Sequence, residues 1–291
     1  MVDTSSQAEI RGIDIDKLAK GFAEEASVFK NFVTNSTTSA REIRWYQKTA
    51  GYLDSTDTTG ITASQIANTS SKSRPVVVEQ SWTRNTSYVR KYFVESPVIS
   101  DEDIKDSDID VLATNVRDLV RAVANQVDIR IYDVITDATG IETTAAVGTG
   151  WDDATNGNPI TDILVGARKI RNNGYETKGG VITMNPIEHQ NLMVWLISTK
   201  GASIPNFSSE KVVTGAIMEI LGWQVVVSSN ATTDEVAMWL PSRSATWKSF
   251  TPLTTAVIDD PGIGKKIRVW EEGEALATDV KSIHVITDTV T

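Results

Sequence analysis

Residues 100–137 read SDEDIKDSDIDVLATNVRDLVRAVANQVDIRIYDVITD. This stretch decides the fold because, with no Gly and no Pro, it can form a long uninterrupted helix. Its apolar residues recur at steps of three or four, which places them along one side of an α-helix. They are Ile109, Leu112, Val116, Leu119, Val123, Val127, Ile131 and Val134. Ser100 with Asp103 resembles a helix-capping box. We therefore predict a short acidic turn and then one helix from about Asp108 to Thr136, roughly 40 Å long.

Composition limits the classes of protein to which the chain can belong. It has 291 residues with a formal net charge of −10 and a pI of about 4.8. The hydrophobic fraction of 40% and the charged fraction of 23% are typical of a soluble globular protein. Because phosphate backbones are bound by Lys and Arg, an acidic chain is a poor candidate for tight nucleic-acid binding. A surface that only faces nucleic acid remains compatible with this charge.

Three absences narrow the prediction further. The chain has no cysteine, which excludes disulfides, thiolate zinc sites and a cysteine nucleophile. Residues 1–10 lack the apolar core of a signal peptide. No run approaches the roughly 18 apolar residues that a membrane helix needs. We expect no membrane association.

The first part of the chain predicts an arm followed by a long hairpin. Residues 14–33 favour a short helix, and Asn35–Ser39 has the composition of a polar linker. Residues 40–96 favour an extended β-hairpin, in which Ile43 and Trp45 alternate with their neighbours as in a strand. Its returning arm contains Val76, Val77, Val78, Trp82, Tyr88, Val89, Tyr92, Phe93 and Val94. Because an isolated hairpin is marginally stable, a long one suggests a partner surface.

The net charges of the hairpin and of the long helix also suggest a partner surface. Residues 40–96 carry eight basic and five acidic residues, a net charge of +3, whereas residues 100–137 carry four basic and ten acidic residues, a net charge of −6. A basic hairpin and an acidic helix could attract each other between copies of the chain. The candidate interface residues are Arg74, Arg84, Arg90, Lys91, Asp101, Asp103, Asp106 and Asp108. The alternative is that both are solvated surfaces that never meet.

The rest of the chain predicts alternating helices and strands. Helices are expected from Ile160 to Asn172, from Pro186 onward and from Ser209 to Leu221, with Gly174 as a C-cap. Strands are expected at Val181–Met184, Gln224–Val227, Val236–Leu240, Ala245–Phe250, Lys266–Trp270 and Ile283–Ile286. Turns are expected at Asp259–Gly264 and near Glu271–Glu274.

No catalytic, cofactor-binding or metal-binding residues are predicted. His189 and His284 lack the spacing of a zinc-binding helix. Gly148-Thr149-Gly150 lacks the third glycine of a dinucleotide loop. The acidic run from Asp101 to Asp108 lacks the glycine of a calcium loop and is better explained as a helix N-terminus. Scattered carboxylates can still converge in space, so an acidic hydrolase remains open.

Several segments, taken in order, resemble one family. They are Val98-Ile99-Ser100-Asp101-Glu102 before the long helix, Pro159–Tyr175, Val181-Ile182-Thr183-Met184-Asn185-Pro186, Leu221-Gly222-Trp223-Gln224-Val225-Val226-Val227-Ser228, and the closing Ile267–Ile286. Together they resemble the major capsid proteins of tailed double-stranded DNA viruses. The resemblance implies the α+β, HK-type capsid fold of that family. Each fragment is short, and the order of the fragments gives the resemblance its weight.

The resemblance also implies a division of the chain. Residues 1–39 would form an N-terminal arm, 40–97 an extended β-hairpin loop, 98–178 the peripheral domain with its spine helix, 179–254 the axial domain, and 255–291 the return strands of the peripheral domain. In the family this resembles, the loop of one subunit lies across the peripheral domain of the next.

The implied function is structural and not enzymatic. Copies of the chain would form hexamers and pentamers of an icosahedral shell that contacts packaged double-stranded DNA weakly and without sequence specificity. We expect a separate scaffolding protein, a portal and decoration proteins as partners. The chain would be assembled in the host cytoplasm and reside in the virion. Two alternatives remain at this point, namely an encapsulin-like shell of a cellular compartment and the acidic hydrolase.

Overall fold

The computed structural model describes residues 27–48, 71, 72, 74, 81–106, 111–153, 155–199 and 219–290. The chain divides into two compact units. The first unit comprises residues 1–43, 87–131 and 247–276, and the second comprises residues 44–86, 132–246 and 277–291. Each unit is therefore built from segments that are far apart in the sequence.

The α-helices are α1 (Asp101–Asp106), α2 (Val111–Asp137), α3 (Pro159–Asn172) and α4 (Pro186–Val194), and single turns of other helix types lie at Phe29–Asn31, Trp195–Thr199 and Val280–Ser282. The strands are β1 (Thr34–Thr37), β2 (Glu42–Lys48), β3 (Trp82–Tyr88), β4 (Arg90–Glu95), β5 (Ile99–Ser100), β6 (Glu142–Ala145), β7 (Val181–Met184), β8 (Glu219–Ile220), β9 (Trp223–Val227), β10 (Glu235–Trp239), β11 (Ala245–Asp260), β12 (Gly264–Ala277) and β13 (Ile283–Thr287).

The predicted long helix is confirmed as α2, which runs without interruption for 27 residues. The preceding acidic turn is the short helix α1, where the Ser100 hydroxyl accepts a hydrogen bond from the Asp103 N–H at 3.0 Å. The predicted start at Asp108 lies outside the described residues. The buried stripe contains Val116, Val120, Val123, Ala124, Val127, Ile131, Tyr132 and Ile135. Val120, Ala124, Tyr132 and Ile135 belong to this stripe although the predicted stripe did not include them, whereas the predicted Leu112, Leu119 and Val134 are half-buried.

The first unit contains a five-stranded sheet covered by α2. Its strand order is β1-β11-β12-β4, and β5 also pairs with β12. Val116, Val120 and Val123 of α2 pack in one cluster with Ile267 and Val269 of β12. Strands β11 and β12 are joined by a tight turn at residues 260–263, so they form one long hairpin across the unit.

Three expectations about the first unit are wrong. Asn35–Ser39 is not a linker, because residues 34–37 form β1 and pair with β11. The returning arm of the hairpin ends at Tyr88, and the following residues form β4, which pairs antiparallel with β12. Glu271–Glu274 is not a turn but the interior of β12. Its glutamates sit in a strand because basic side chains neutralise them there, as described below.

Strands β2 and β3 form the predicted hairpin as a separate two-stranded sheet. At its base in the second unit, the Trp45 indole N–H and the Gln47 amide donate to the Ala277 carbonyl at 3.0 Å and 2.6 Å. Exposed and less exposed side chains alternate along β2. Most of the segment that joins the two strands lies outside the described residues.

The second unit contains a six-stranded sheet with the order β6-β13-β10-β7-β9-β8. β10 is antiparallel to both β13 and β7, whereas β7 and β9 are parallel. Helix α3 covers this sheet with Ile163 and Ile170, which join a core of Trp151, Ile182, Met184, Leu192, Trp223, Met238 and Ile286. α3 begins where the Asn158 side chain accepts a hydrogen bond from the Thr161 N–H, and Gly174 ends it with a φ of 86°.

The structure also corrects expectations about the second unit and the arm. The end of the predicted helix Ser209–Leu221 is strand β8 followed by a turn, and its earlier part lies outside the described residues. In the predicted helix 14–33, residues 14–26 lie outside the described range and residues 29–31 form one 3-10 turn. Ile283–Thr287 pairs with β10 and β6. This strand confirms the prediction of a strand at Ile283–Ile286.

Helices α3 and α4 follow the sequence prediction closely, since both begin with proline after an asparagine cap. None of the helices that the structure describes is long and apolar enough to cross a membrane.

Candidate assembly interface

The residues predicted for a subunit interface fall into two groups. Arg84 lies exposed on β3, and Arg74 is exposed in the segment that precedes it. Asp103 is exposed and Asp101 is half-buried in α1. The side chain of Asp106 and the whole of Asp108 lie outside the described residues. The interface itself remains a prediction, because the contact would join two copies and the structure contains a single chain.

Arg90 and Lys91 instead have carboxylate partners within their own chain. They begin β4, opposite Gly273 and Glu272 of β12. Arg90 Nε lies 3.1 Å from one carboxylate oxygen of Glu274, and Lys91 Nζ lies 3.7 Å from Glu272. The side chains of both cations remain more than half exposed, at 56% and 52%. They can therefore serve the fold and still face a neighbouring molecule.

The glutamates that receive these cations form what we call the glutamate cluster, which consists of Glu271, Glu272 and Glu274 of β12. Glu274 is fully buried, and its second oxygen accepts a hydrogen bond from Arg130 Nη2 of α2 at 2.6 Å. The Glu272 carboxylate lies 3.2 Å from Arg41 Nη2. Lys30 Nζ donates to Glu271 at 2.5 Å. Each buried carboxylate in the cluster thus has at least one cation within ion-pair distance.

The cluster connects segments that are distant in sequence. Its cations come from the N-terminal segment, from β4 and from α2, and all of them meet at β12. The sequence signal was present but weak, because Glu272 and Glu274 are two residues apart and therefore lie on one side of a strand. Three glutamates around a glycine resembled a turn more than a strand.

Asp128 of α2 anchors the same N-terminal segment. Its carboxylate is fully buried and accepts hydrogen bonds from the backbone N–H groups of Val28, Phe29 and Lys30 at 2.9, 2.9 and 3.1 Å. These N–H groups lie at the start of the 3-10 turn, where a carboxylate is a favourable acceptor. Phe29 is fully buried beside this contact. The segment is therefore held by an apolar anchor, a capping carboxylate and ion pairs.

The buried Asp162 and the two histidines are titratable groups of the second unit to consider for chemistry. Asp162 accepts hydrogen bonds from the Trp151 indole N–H at 2.8 Å and from the Val147 N–H at 3.0 Å, while burial raises its pKa. His284 is fully buried, and burial lowers its pKa to about 4. Burial also lowers the pKa of His189. In the described part of the chain, no three His, Asp or Glu side chains converge to form a group that could hold a metal ion.

Comparison with known proteins agrees with this architecture. Residues 98–286 match the model of a family described as phage capsid protein. A chain of Mycobacterium phage Che8 shares 17% identity, with 91% of this chain and 92% of that chain covered and a TM-score of 0.63. The capsid structure of the cyanophage P-SCSP1u gives 13% identity, coverage of 90% and 88%, and a TM-score of 0.65.

A third solved structure, the virus-like particle from Pyrococcus furiosus, shares 9% identity, with 95% and 99% of the two chains covered and a TM-score of 0.63. At these identities the structural likenesses establish the fold. A search of curated proteins finds no match. The family match spans about two thirds of the chain, including α2 and both large sheets from β5 onward. The chain belongs to the phage capsid protein family and is a major capsid protein, a structural component of the virion.

Proposed function

We propose that copies of this chain form hexamers and pentamers that close an icosahedral shell around double-stranded DNA, and that the chain has no enzymatic activity. The observation that carries this proposal is the family match over residues 98–286. The agreement in fold with solved capsid chains along most of their length supports it. Assembly takes place in the host cytoplasm in this proposal, with a scaffolding protein, a portal and decoration proteins as further partners.

The proposed contact between subunits joins the basic hairpin of one copy to the acidic α1 region of the next. Arg74 and Arg84 supply exposed positive charge, and Asp101 and Asp103 supply the opposite charge. Asp106 and Asp108 extend the acidic side in sequence. Arg90 and Lys91 stand at the base of the hairpin, where the glutamate cluster holds them. Opposite charges of this kind accelerate association and set the register of the partners.

The proposed contact with DNA is weak and without sequence specificity. With a net charge of −10, the chain as a whole repels phosphate at neutral pH. A container that repels its contents lets the nucleic acid move during packaging. Because the shell is closed, native particles should protect double-stranded DNA from nuclease. Because the chain is acidic, the purified chain should not retain DNA at physiological salt.

Electron microscopy of the purified chain tests the proposal most directly. Closed shells of uniform size are expected. Monodisperse monomers that turn over a substrate would support the acidic hydrolase and contradict the proposal. Uniform shells that enclose a protein cargo and no DNA in their native source would support the compartment alternative.

Charge reversal tests the proposed subunit contact. Arg84→Glu is the cleanest variant, because no ion pair between described residues involves Arg84. It should slow assembly more at low salt than at high salt, since salt screens exposed charges. Adding Arg90→Glu and Lys91→Glu should enlarge the effect but also disturb the glutamate cluster. Lys178→Glu, at an exposed position, is the control. Equal assembly of Arg84→Glu at both salt concentrations would reject the electrostatic contact.

A further inference from the structure

A groove on the second unit combines an apolar wall with positive charge. It has a volume of about 310 Å³ and is lined by residues of α3 and of the turn between β8 and β9. Leu164 and Leu221 at this groove are 51% and 53% exposed, so two aliphatic side chains lie open to solvent at one site. Arg168 and Arg171 lie at the same groove and are exposed. A ligand of matching chemistry carries both an aliphatic side chain and negative charge.

Leu221 has a backbone conformation that its own residue type disfavours. Its φ is 52° and that of Gly222 is 80°, in the two-residue turn between β8 and β9. Turns with positive φ at both central positions favour Asn-Gly, whereas leucine is a rare occupant. The leucine side chain does not compensate by packing, because it is half exposed. Such strain at an exposed position indicates a role in binding.

The complementary feature is on the first unit, at the end of the β11–β12 hairpin. Ile263 is 58% exposed there, and Asp259 and Asp260 beside it are exposed carboxylates. The Ile263 N–H donates to the Asp260 carbonyl at 3.0 Å across Pro261 and Gly262, whose φ is 80°. Proline followed by glycine with positive φ is the arrangement of a type II turn. This acidic turn with one aliphatic side chain is therefore rigid before any partner binds.

We propose that the 259–263 turn of one copy binds the Leu164–Leu221 groove of a second copy. Ile263 enters the apolar groove, and Asp259 and Asp260 pair with Arg168 and Arg171. This inference rests on the proposed function, because it requires that copies of the chain assemble. It adds a contact that the hairpin and α1 do not make. The occupant is a second copy because the acidic turn matches the groove in both charge and apolar character.

Crosslinking between copies tests the contact without depending on closed shells. The chain has no cysteine, so a single introduced cysteine is unique. The Ile263→Cys variant is mixed with a Leu164→Cys variant that carries a size tag, assembled, and treated with a short bis-maleimide. A covalent dimer of one tagged and one untagged chain is expected. Val147→Cys, at another exposed apolar position, replaces Leu164→Cys in the control and should give no such dimer.

Absence of the mixed dimer from assembled material would overturn the proposal. A second contrary outcome is that the cysteine of the Leu164→Cys variant is protected from alkylation in assembled material but does not crosslink to the Ile263→Cys variant. A different partner would then occupy the groove, and the proposal would be overturned. If the mixed dimer forms but no closed shell is seen, the proposed shell function fails and the inference stands. If closed shells form but the mixed dimer does not, the inference fails and the proposed shell function stands.

Two substitutions separate binding from folding. Leu221→Asn restores the preferred turn residue, so it should keep or raise the thermal stability of the chain while it raises the critical concentration for assembly by about tenfold. Ile263→Ser should have a similar effect on assembly, and Val147→Ser should have none. Reversal of charge on one side by Arg168→Asp should weaken assembly, and combination with Asp260→Arg should restore it. Failure of the pair to restore assembly, or normal assembly of Leu221→Asn, would contradict the contact.

Discussion

The two units bury charged and polar groups in different ways. In the first unit, the glutamate cluster and Asp128 are buried against cations and backbone donors from distant segments. In the second unit, His284 is fully buried on β13 between Met238 of β10 and Glu142 of β6, and neither of its ring nitrogens has a hydrogen-bond partner among the described residues. The close approach of α3 explains this, because a Cβ atom at Gly166 would lie 2.9 Å from His284 Cδ2.

Because of this difference, the two units should lose stability under different changes. A buried ion pair contributes little net stability, but removal of one partner leaves an uncompensated charge at high cost. The first unit should therefore be sensitive to loss of individual charges. A buried histidine is neutral in the folded protein, because burial disfavours its protonated form. Acid therefore favours the unfolded chain, in which the histidine can take up a proton. The second unit should therefore be sensitive to acid.

Glu274→Leu should have the largest effect. The substitution leaves Arg90 and Arg130 without their shared carboxylate, and the free energy of unfolding should fall by about 4 kcal/mol, as for other broken buried pairs. Glu95→Leu in the neighbouring strand is the control, since Glu95 pairs with Arg268 near the surface, and it should lose less than about 1 kcal/mol. Urea denaturation measures both. Equal losses would remove the distinction between buried and exposed ion pairs.

His284 should make the second unit sensitive to pH. Its pKa is about 4 in the folded protein because burial disfavours the charged form; Lys169 also disfavours it, whereas Glu142 favours it. The unfolded chain binds this proton more tightly, so the stabilising effect is complete above about pH 6.5 and is lost as the pH falls toward 4. The loss should reach about 3 kcal/mol.

The comparison of wild type with His284→Leu isolates this effect from the carboxylates that titrate in the same range. Thermal unfolding from pH 7 to pH 4 should show a smaller decrease for the variant than for the wild type. His189→Gln, at a half-buried position, is the control and should leave more of the decrease in place. Parallel curves for wild type and His284→Leu would show that this histidine does not confer acid sensitivity.

Asp128→Ala tests how the N-terminal segment is held to the first unit. Loss of the acceptor for three backbone donors should lower the free energy of unfolding by about 2 kcal/mol. Amide exchange of residues 28–30 should accelerate before the rest of the unit is affected. Asp118→Ala, on the exposed side of the same helix, should change neither quantity. Unchanged exchange in Asp128→Ala would mean that Phe29 and Lys30 hold the segment without the carboxylate.

Asn158→Ala should have the smallest effect. The Asn158 side chain caps α3 through the Thr161 N–H at 3.2 Å, and loss of a cap typically costs about 1 kcal/mol. Chemical denaturation followed by tryptophan fluorescence measures the change in the second unit, whose core contains Trp151 and Trp223. Asn158→Asp, which preserves the cap, should behave like the wild type. A loss as large as that of Glu274→Leu would show that capping is more important than this comparison assumes.

Local sequence was sufficient for elements with strong signals. The long helix was predictable from the apolar spacing between Val116 and Ile131, because no Gly or Pro interrupts it. Helix α3 was predictable from Pro159 at its start and Gly174 after its end. For the candidate interface, the sequence identified the charged residues. It could not show that Arg90 and Lys91 already have carboxylate partners in the same chain, since those lie about 180 residues away.

The sequence by itself determined the family resemblance, the helices and most strands of the second unit, because apolar periodicity, proline and glycine act over a few residues. Only the tertiary structure decided that Glu271, Glu272 and Glu274 lie inside a strand, that residues 34–37 pair with β11, and that residues 283–287 pair with β10. The physical reason is the same in each case. Strand pairing and neutralisation of buried charge depend on partners far away in the chain, and no local pattern records where those partners are.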